Sequence, residues 1–161
     1  MRSSVLWSVA GALLLTTGLR LSGAFEGDEV KIELKAFKFK VPEAQANLFG
    51  LNEDEGKLFF YSNGLAEASF KSPKDGEYSI VLKASGDPAM NERAKFKLTI
   101  DGKEVGKETT LTADEPKEYT FTEKLKAGDH KIAVEYTNDV YKENEYDRNF
   151  YLHGATVKPA K

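Results

Sequence analysis

The chain of 161 residues contains no cysteine at all. A disulfide framework, a thiolate metal site, a cysteine nucleophile and lipid attachment through cysteine are therefore excluded. Its only tryptophan is Trp7, so the remainder of the chain has no indole on which a sugar ring can stack. Histidines number two, His130 and His153, far apart and without a ligand-like neighbour at fixed spacing, so both read as core or surface histidines rather than as metal ligands. No serine stands in a Gly-x-Ser-x-Gly turn, and no positioned acid–base pair stands out. Enzymatic activity is not expected. An excess of positive charge is also missing: 23 Lys and Arg face 26 Asp and Glu, which argues against nucleic acid as a partner.

The first 24 residues form a separate unit. Arg2 opens them, a mostly apolar run follows from Val5 to Leu15, and Ser22–Gly23–Ala24 places small residues before a cut. The pattern is that of a secretory signal cleaved after Ala24. Its apolar run is shorter than the roughly 20 residues that a membrane-spanning helix needs, and no membrane span is expected after cleavage. Removal of this segment takes away Arg2 and Arg20 and no acid, leaving 21 basic against 26 acidic residues and a net charge of −5. The expected location is secreted or periplasmic. Residues 25–161 are long enough for one domain with its own core.

Alternation of apolar and polar residues dominates that domain. Val30, Ile32 and Leu34 share one face, and Phe37, Phe39 and Val41 share another after a one-residue shift at Ala36, which predicts a bulge. Leu58–Phe59–Phe60–Tyr61 is a short strand closed by Ser62–Asn63–Gly64. Ala66, Ala68 and Phe70 alternate, then Tyr78, Ile80, Leu82 and Ala84, then Phe96, Leu98 and Ile100. Asp101–Gly102 predicts a tight hairpin turn. Tyr119 and Phe121 precede the turn at Ala127–Gly128–Asp129, after which Ile132, Val134 and Tyr136 alternate. Phe150, Leu152, Ala155 and Val157 close the domain, with Gly154 marking a bulge. Helical periodicity is nearly absent; only Pro42 and the residues after it suggest a turn or two. The expectation is an all-β jelly-roll sandwich of about nine antiparallel strands.

One segment stands apart. Residues 138–149 place Asp139, Glu143, Glu145 and Asp147 within nine positions and add Asn138, Asn144 and Asn149. Calcium is a hard cation that takes six to eight oxygen ligands at flexible geometry, and such a loop supplies them without sulfur or imidazole. The spacing is not that of an EF-hand. Composition alone leaves two readings open, an oxygen-only cation site or a solvated acidic loop.

The run from Gly128 through His130, Tyr136 and Asn138 to Asp139, followed by Asp147–Arg148–Asn149–Phe150–Tyr151–Leu152, resembles the calcium-dependent, xylan-binding carbohydrate-binding modules (families 36 and 60 type). Their pattern is a Gly-x-His hairpin, an alternating strand ending in aromatic-x-Asn-Asp, a loop, and then Asp-Arg-Asn-Leu. Gly76–Glu77–Tyr78–Ser79–Ile80 and the stretch from Leu98 to Gly106 are also similar to that family. The resemblance covers about Gly76 to Pro159, and residues 25–75 fit as generic sandwich strands. It implies a jelly-roll whose loops hold Ca2+ at one end, with the ion itself meeting sugar hydroxyls. By position it implies Asp139 and Asp147 as the leading ligands, Asn138 and Asn149 as ligands or braces, and Glu143 as a further oxygen donor. Tyr141, Tyr146 and Glu145 are the candidate sugar contacts, and Tyr151, which alternates with core residues, either joins them or simply faces solvent. Arg148 is implied as an ion-pair partner for the acids. His153 departs from the pattern, since relatives often carry Asp there, and Lys35 beside Glu33 argues against a second calcium on the first strand. The implied function is a secreted, non-catalytic module that binds a polysaccharide or glycan, acting alone or beside a separate secreted protein. The alternative is a structural or protein-interaction sandwich that has lost sugar binding, and behind it stands a small hydrolase.

Overall fold

A computed structural model describes residues 29–161, and the expected signal segment lies outside them. Two antiparallel sheets face each other. Their strands, in chain order, are β1 (Val30–Ile32), β2 (Lys38–Phe39), β3 (Phe49–Asn52), β4 (Lys57–Phe60), β5 (Gly64–Ser72), β6 (Gly76–Asp87) and β7 (Lys95–Ile100). The others are β8 (Lys103–Glu104), β9 (Thr109–Thr110), β10 (Lys117–Leu125), β11 (Gly128–Tyr136), β12 (Tyr141–Lys142), β13 (Tyr146–Asp147) and β14 (Asn149–Pro159). Nine of these have three residues or more, in keeping with the β-sandwich expected from the alternation.

The first sheet runs β10-β6-β14-β4-β3, with β1 also on β14; the second runs β2-β5-β11-β7-β8, with β9 also on β7. The core lies between them. Tyr78, Ile80, Leu82 and Ala84 of β6 point inward from one sheet, and Phe96, Leu98 and Ile100 of β7 from the other. Strand β14 switches phase: Phe150 and Leu152 are buried, then Ala155 and Val157. Its pairing with β6 shifts between Leu152 and Gly154, which is the expected bulge. The shift at Ala36 has a different form. A 3-10 turn over Leu34–Ala36 absorbs the extra residue, because the chain is changing from β14 of one sheet to β5 of the other. A second 3-10 segment, Glu43–Leu48, follows Pro42. Asp101 and Gly102 both take positive φ, 52° and 78°, as the tight hairpin requires.

The two histidines stand on different sheets, each with its own partners. His130 Nδ1 bonds the Asp101 carboxylate at 2.7 Å, Nε2 lies 2.7 Å from the Lys126 carbonyl oxygen, and the ring stacks on Phe70. His153 sits in the bulge with Nε2 2.8 Å from Ser85 Oγ. Among the described residues, no helix is long and apolar enough to cross a membrane.

An aromatic cluster fastens one end of the sandwich. Phe150 meets Phe60, Phe96 and Tyr136 at centroid distances of 5.3, 5.3 and 5.9 Å. Contacts of this kind contribute about 0.5–1.5 kcal/mol each beyond area burial. Phe150 directly follows Asn149, and Tyr136 directly precedes residues 137–139. Both ends of the acidic loop are thereby anchored in the core.

Candidate functional site

The loop leaves β11 under tight control. Asn138 Oδ1 accepts from the Lys95 N–H at 2.6 Å, and its Nδ2 donates to the Arg93 carbonyl at 3.0 Å. Its side chain thus replaces a strand backbone as a partner for the segment entering β7. Of the two roles implied for Asn138, the bonds made here are those of a brace. One residue on, the Asp139 N–H donates to Asn63 Oδ1 at 2.7 Å. That contact brings in the turn between β4 and β5, with Tyr61 and Ser62.

Arg148 closes the loop from below. It is only 4% exposed. Its Nη1 donates to the Asn138 carbonyl at 2.6 Å, Nη2 to the Ala89 carbonyl at 2.6 Å, and Nε to the Glu92 carbonyl at 3.2 Å. Its nearest carboxylate is Glu92, at 3.6 Å. The implied pairing with the loop acids therefore takes another form: the planar guanidinium is shared among carbonyls of two loops, a task its fixed fork of donors suits. It still lowers the cost of ionising Asp139 through space.

Between these supports, β12 and β13 form a two-stranded hairpin, Tyr141 opposite Asp147 and Lys142 opposite Tyr146. The turn carries Glu143, Asn144 and Glu145, all exposed, with Asn144 at φ 59°. Glu145 pairs with Lys142 at the same turn. Tyr146 is half-buried, while Tyr141 is 64% exposed.

Asp139 and Asp147 do come together. With Leu48, Tyr61, Ser62 and Tyr141 they line a cleft of about 490 Å³. Glu143, Glu145 and Tyr146 stand on the hairpin outside that lining. Burial pushes the Asp139 carboxyl above the ordinary carboxylate range, the Ser62 hydroxyl bond opposes that rise, and the Asp147 charge adds to it. Asn149 is buried; its Nδ2 donates to Asp147 Oδ2 at 3.1 Å and to Asp87 Oδ2 at 3.2 Å. Asp87 also accepts the Tyr151 hydroxyl at 2.6 Å, and burial first, then this bond, raises the Tyr151 phenol.

Two oxygens in this arrangement are buried and without a hydrogen-bond partner, Asp139 Oδ1 and Asn149 Oδ1. Leaving a buried acceptor unsatisfied costs about 1–3 kcal/mol. Both are acceptors. A hard cation is the kind of group that such oxygens suit, so the residues fit calcium. Among the described residues no three His, Asp or Glu side chains converge as a metal cluster by themselves. A cation here would draw on amide and other oxygens besides carboxylates.

Asp87, Ser62 and Asn63 escaped sequence reasoning as site residues. Each reads as an ordinary turn residue. Only the pairing of Asp87 opposite Asn149 and the Asn63–Asp139 bond reveal them, across 62 and 76 positions of chain.

Residues 79–161 match the family model CBM60, described as Ca-dependent carbohydrate-binding module, xylan-binding. No curated protein matches the chain. Similar solved structures include the CBM36-1 domain of a multidomain xylanase from the hindgut metagenome of Trinervitermes trinervoides. It is 15% identical over 83% of this chain and 98% of that one, with a TM-score of 0.59. CBM35 from Paenibacillus barcinonensis is 12% identical over 83% and 100%, with a TM-score of 0.56. CBM36 in complex with calcium and xylotriose is 18% identical over 81% and 97%, with a TM-score of 0.53. At such identities the likeness is one of fold. The family match spans more than half of the chain and all of the loop between β11 and β14, and the chain belongs to the Ca-dependent, xylan-binding carbohydrate-binding module family CBM60.

Proposed function

We propose that this chain is an exported, non-catalytic module that binds a xylan-type polysaccharide through a calcium ion held by the loop between β11 and β14. The observation that carries this reading is the pair of buried, unpartnered oxygens on Asp139 and Asn149. Asp139, Asp147 and Asn149 would hold the ion, with Glu143 as a further donor from the hairpin turn. Calcium, when bound, accepts sugar hydroxyl oxygens in place of water. That chemistry suits a cleft in a chain that has no tryptophan beyond Trp7.

The protein's own residues prepare the cleft. Asn138 and Arg148 fix the loop against the segments leading into β7, so that little ordering remains to be done on binding. Asn149 holds the Asp147 carboxylate through one N–H of its amide and turns its oxygen inward. Tyr141 and Tyr146, with Glu145, frame the hairpin side as sugar contacts. Residues 1–24 serve as the export signal, and the module works alone or beside a separate secreted enzyme.

Glycan binding is tested by pull-down and calorimetry on insoluble xylan and xylo-oligosaccharides, with calcium and with chelator. Binding in calcium that disappears with chelator supports the reading. Calcium-independent binding, or none, refutes it. Calcium binding with no glycan bound would mark a protein-interaction sandwich instead.

A further inference from the structure

We propose that the outward face of β4 and β14 is a second sugar-contact surface, on which Phe59, Tyr61 and Tyr151 receive the continuation of the polysaccharide held at the cleft. This rests on the calcium-dependent glycan reading above. Strand alternation sends Leu58, Phe60, Phe150 and Leu152 into the core and Phe59 and Tyr151 to the other side. An outward sheet face is ordinarily polar, yet these two aromatic residues stand directly opposite each other in the pairing. The Phe59 and Tyr61 rings stack at 4.7 Å and 29°, and Tyr61 meets Tyr151 edge to face at 6.4 Å.

The backbone beneath is shaped for them. Gly50 on β3 pairs with Phe59, and a Cβ there would lie 2.7 Å from the ring's Cζ. The missing side chain lets the ring lie against the strand. Phe59 and Tyr151 are half-buried and Tyr61 is exposed; Tyr61, Met90 and Tyr141 are the exposed large apolar side chains of the described domain, and two of these three line the cleft.

Continuity and charge select the occupant. Tyr61 belongs both to the cleft and to the aromatic row, and Phe59 lies two strand residues, about 7 Å, further along. A sugar chain leaving the cleft past Tyr61 therefore meets Phe59 next. Lys57 Nζ lies 4.0 Å from the Tyr151 ring centroid and pairs with Glu55, so the rim carries balanced charge with donors and acceptors for hydroxyls. That balance suits a neutral polysaccharide, whose pyranose rings offer C–H faces to aromatic rings.

The test compares xylotriose with xylohexaose by calorimetry in calcium, using the wild type and Phe59→Ser. Phe59 stacks on the cleft residue Tyr61, so hexaose and triose are measured on the same variant, and the loss should be larger for the hexaose. Wild-type protein should bind the hexaose more tightly than the triose, and Phe59→Ser should weaken hexaose binding roughly tenfold, about 1.4 kcal/mol. If the serine variant fails to fold, Phe59→Leu, which keeps apolar bulk but loses the ring, should weaken hexaose binding in the same direction. Equal affinity for both sugars in the wild type, or unchanged hexaose binding in the folded variant, overturns the proposal while leaving the cleft reading intact. If neither sugar binds in calcium, both fall.

Discussion

Replacing Arg148 with alanine should be among the most damaging single changes in the domain. The residue is 4% exposed, and its guanidinium donates to three carbonyl oxygens, those of Ala89, Glu92 and Asn138. Hydrogen bonds to a charged group contribute about 1.5–3 kcal/mol each, and the three are not additive because one group makes them all. The loss is better compared with breaking a buried charged network, about 3–5 kcal/mol. A change near the middle of that range, about 4 kcal/mol, corresponds to a drop in Tm on the order of 12 °C for a domain of this size. Urea unfolding measures it directly, with the midpoint shifted and the slope retained. Arg148→Lys keeps the charge but cannot reach three carbonyls in one plane, and should recover less than half of the loss. The damage should extend to the site, since the Asn138 carbonyl is freed one residue before Asp139. A loss below about 1 kcal/mol would show that these carbonyls find other partners, and would refute the role given to Arg148.

Two further changes probe other supports. Gly86→Ala should destabilise the domain by about 1–3 kcal/mol, because its Cβ would clash with the Asn149 carbonyl oxygen and approach Leu111 Cδ1 to 2.9 Å; urea unfolding unaffected by the change would contradict the packing of β6 on β14. His130 tests pH dependence. Burial works against its charged form, but the Asp101 carboxylate and the Lys126 carbonyl outweigh that and raise its pKa. A raised pKa means stability that is full below about pH 6.5 and lost as pH rises through the higher folded value. The stability difference between wild type and His130→Gln should therefore shrink between about pH 5.5 and 8.5, and a difference that grows with pH would reverse the assignment.

Strand character was legible wherever alternation was long. The inward residues of β6, β7 and β11 are those the period of two selects, and Gly154 marked its bulge. Short elements were not: Phe49–Asn52 offers only four residues with a glycine among them, and becomes β3 through pairing with β4. At Ala36 the one-residue slip was visible, but a bulge and a 3-10 turn shift the pattern equally, and only the crossing between sheets distinguishes them. For the site, local composition pointed to the loop of Asp139 and Asp147, since carboxylates crowded within nine positions are a local signal. The division of labour within it was hidden. Asn138 turns away to bind Arg93 and Lys95, Asp87 arrives from β6 and Asn63 from the turn between β4 and β5. Partners of that kind are set by register, which a single sequence does not display.

The central claim is that Asp139 is part of a calcium site, and thermal unfolding with calcium titrated to about 10 mM tests it most directly. Extracellular modules bind calcium at about 10⁻⁴–10⁻³ M, and at a hundredfold excess over Kd a ligand stabilises the fold by about 2.7 kcal/mol. The wild type should show a saturable rise in Tm that chelator reverses, and Asp139→Ala should show none. A wild-type Tm indifferent to calcium, or an equal rise in the variant, would contradict the account.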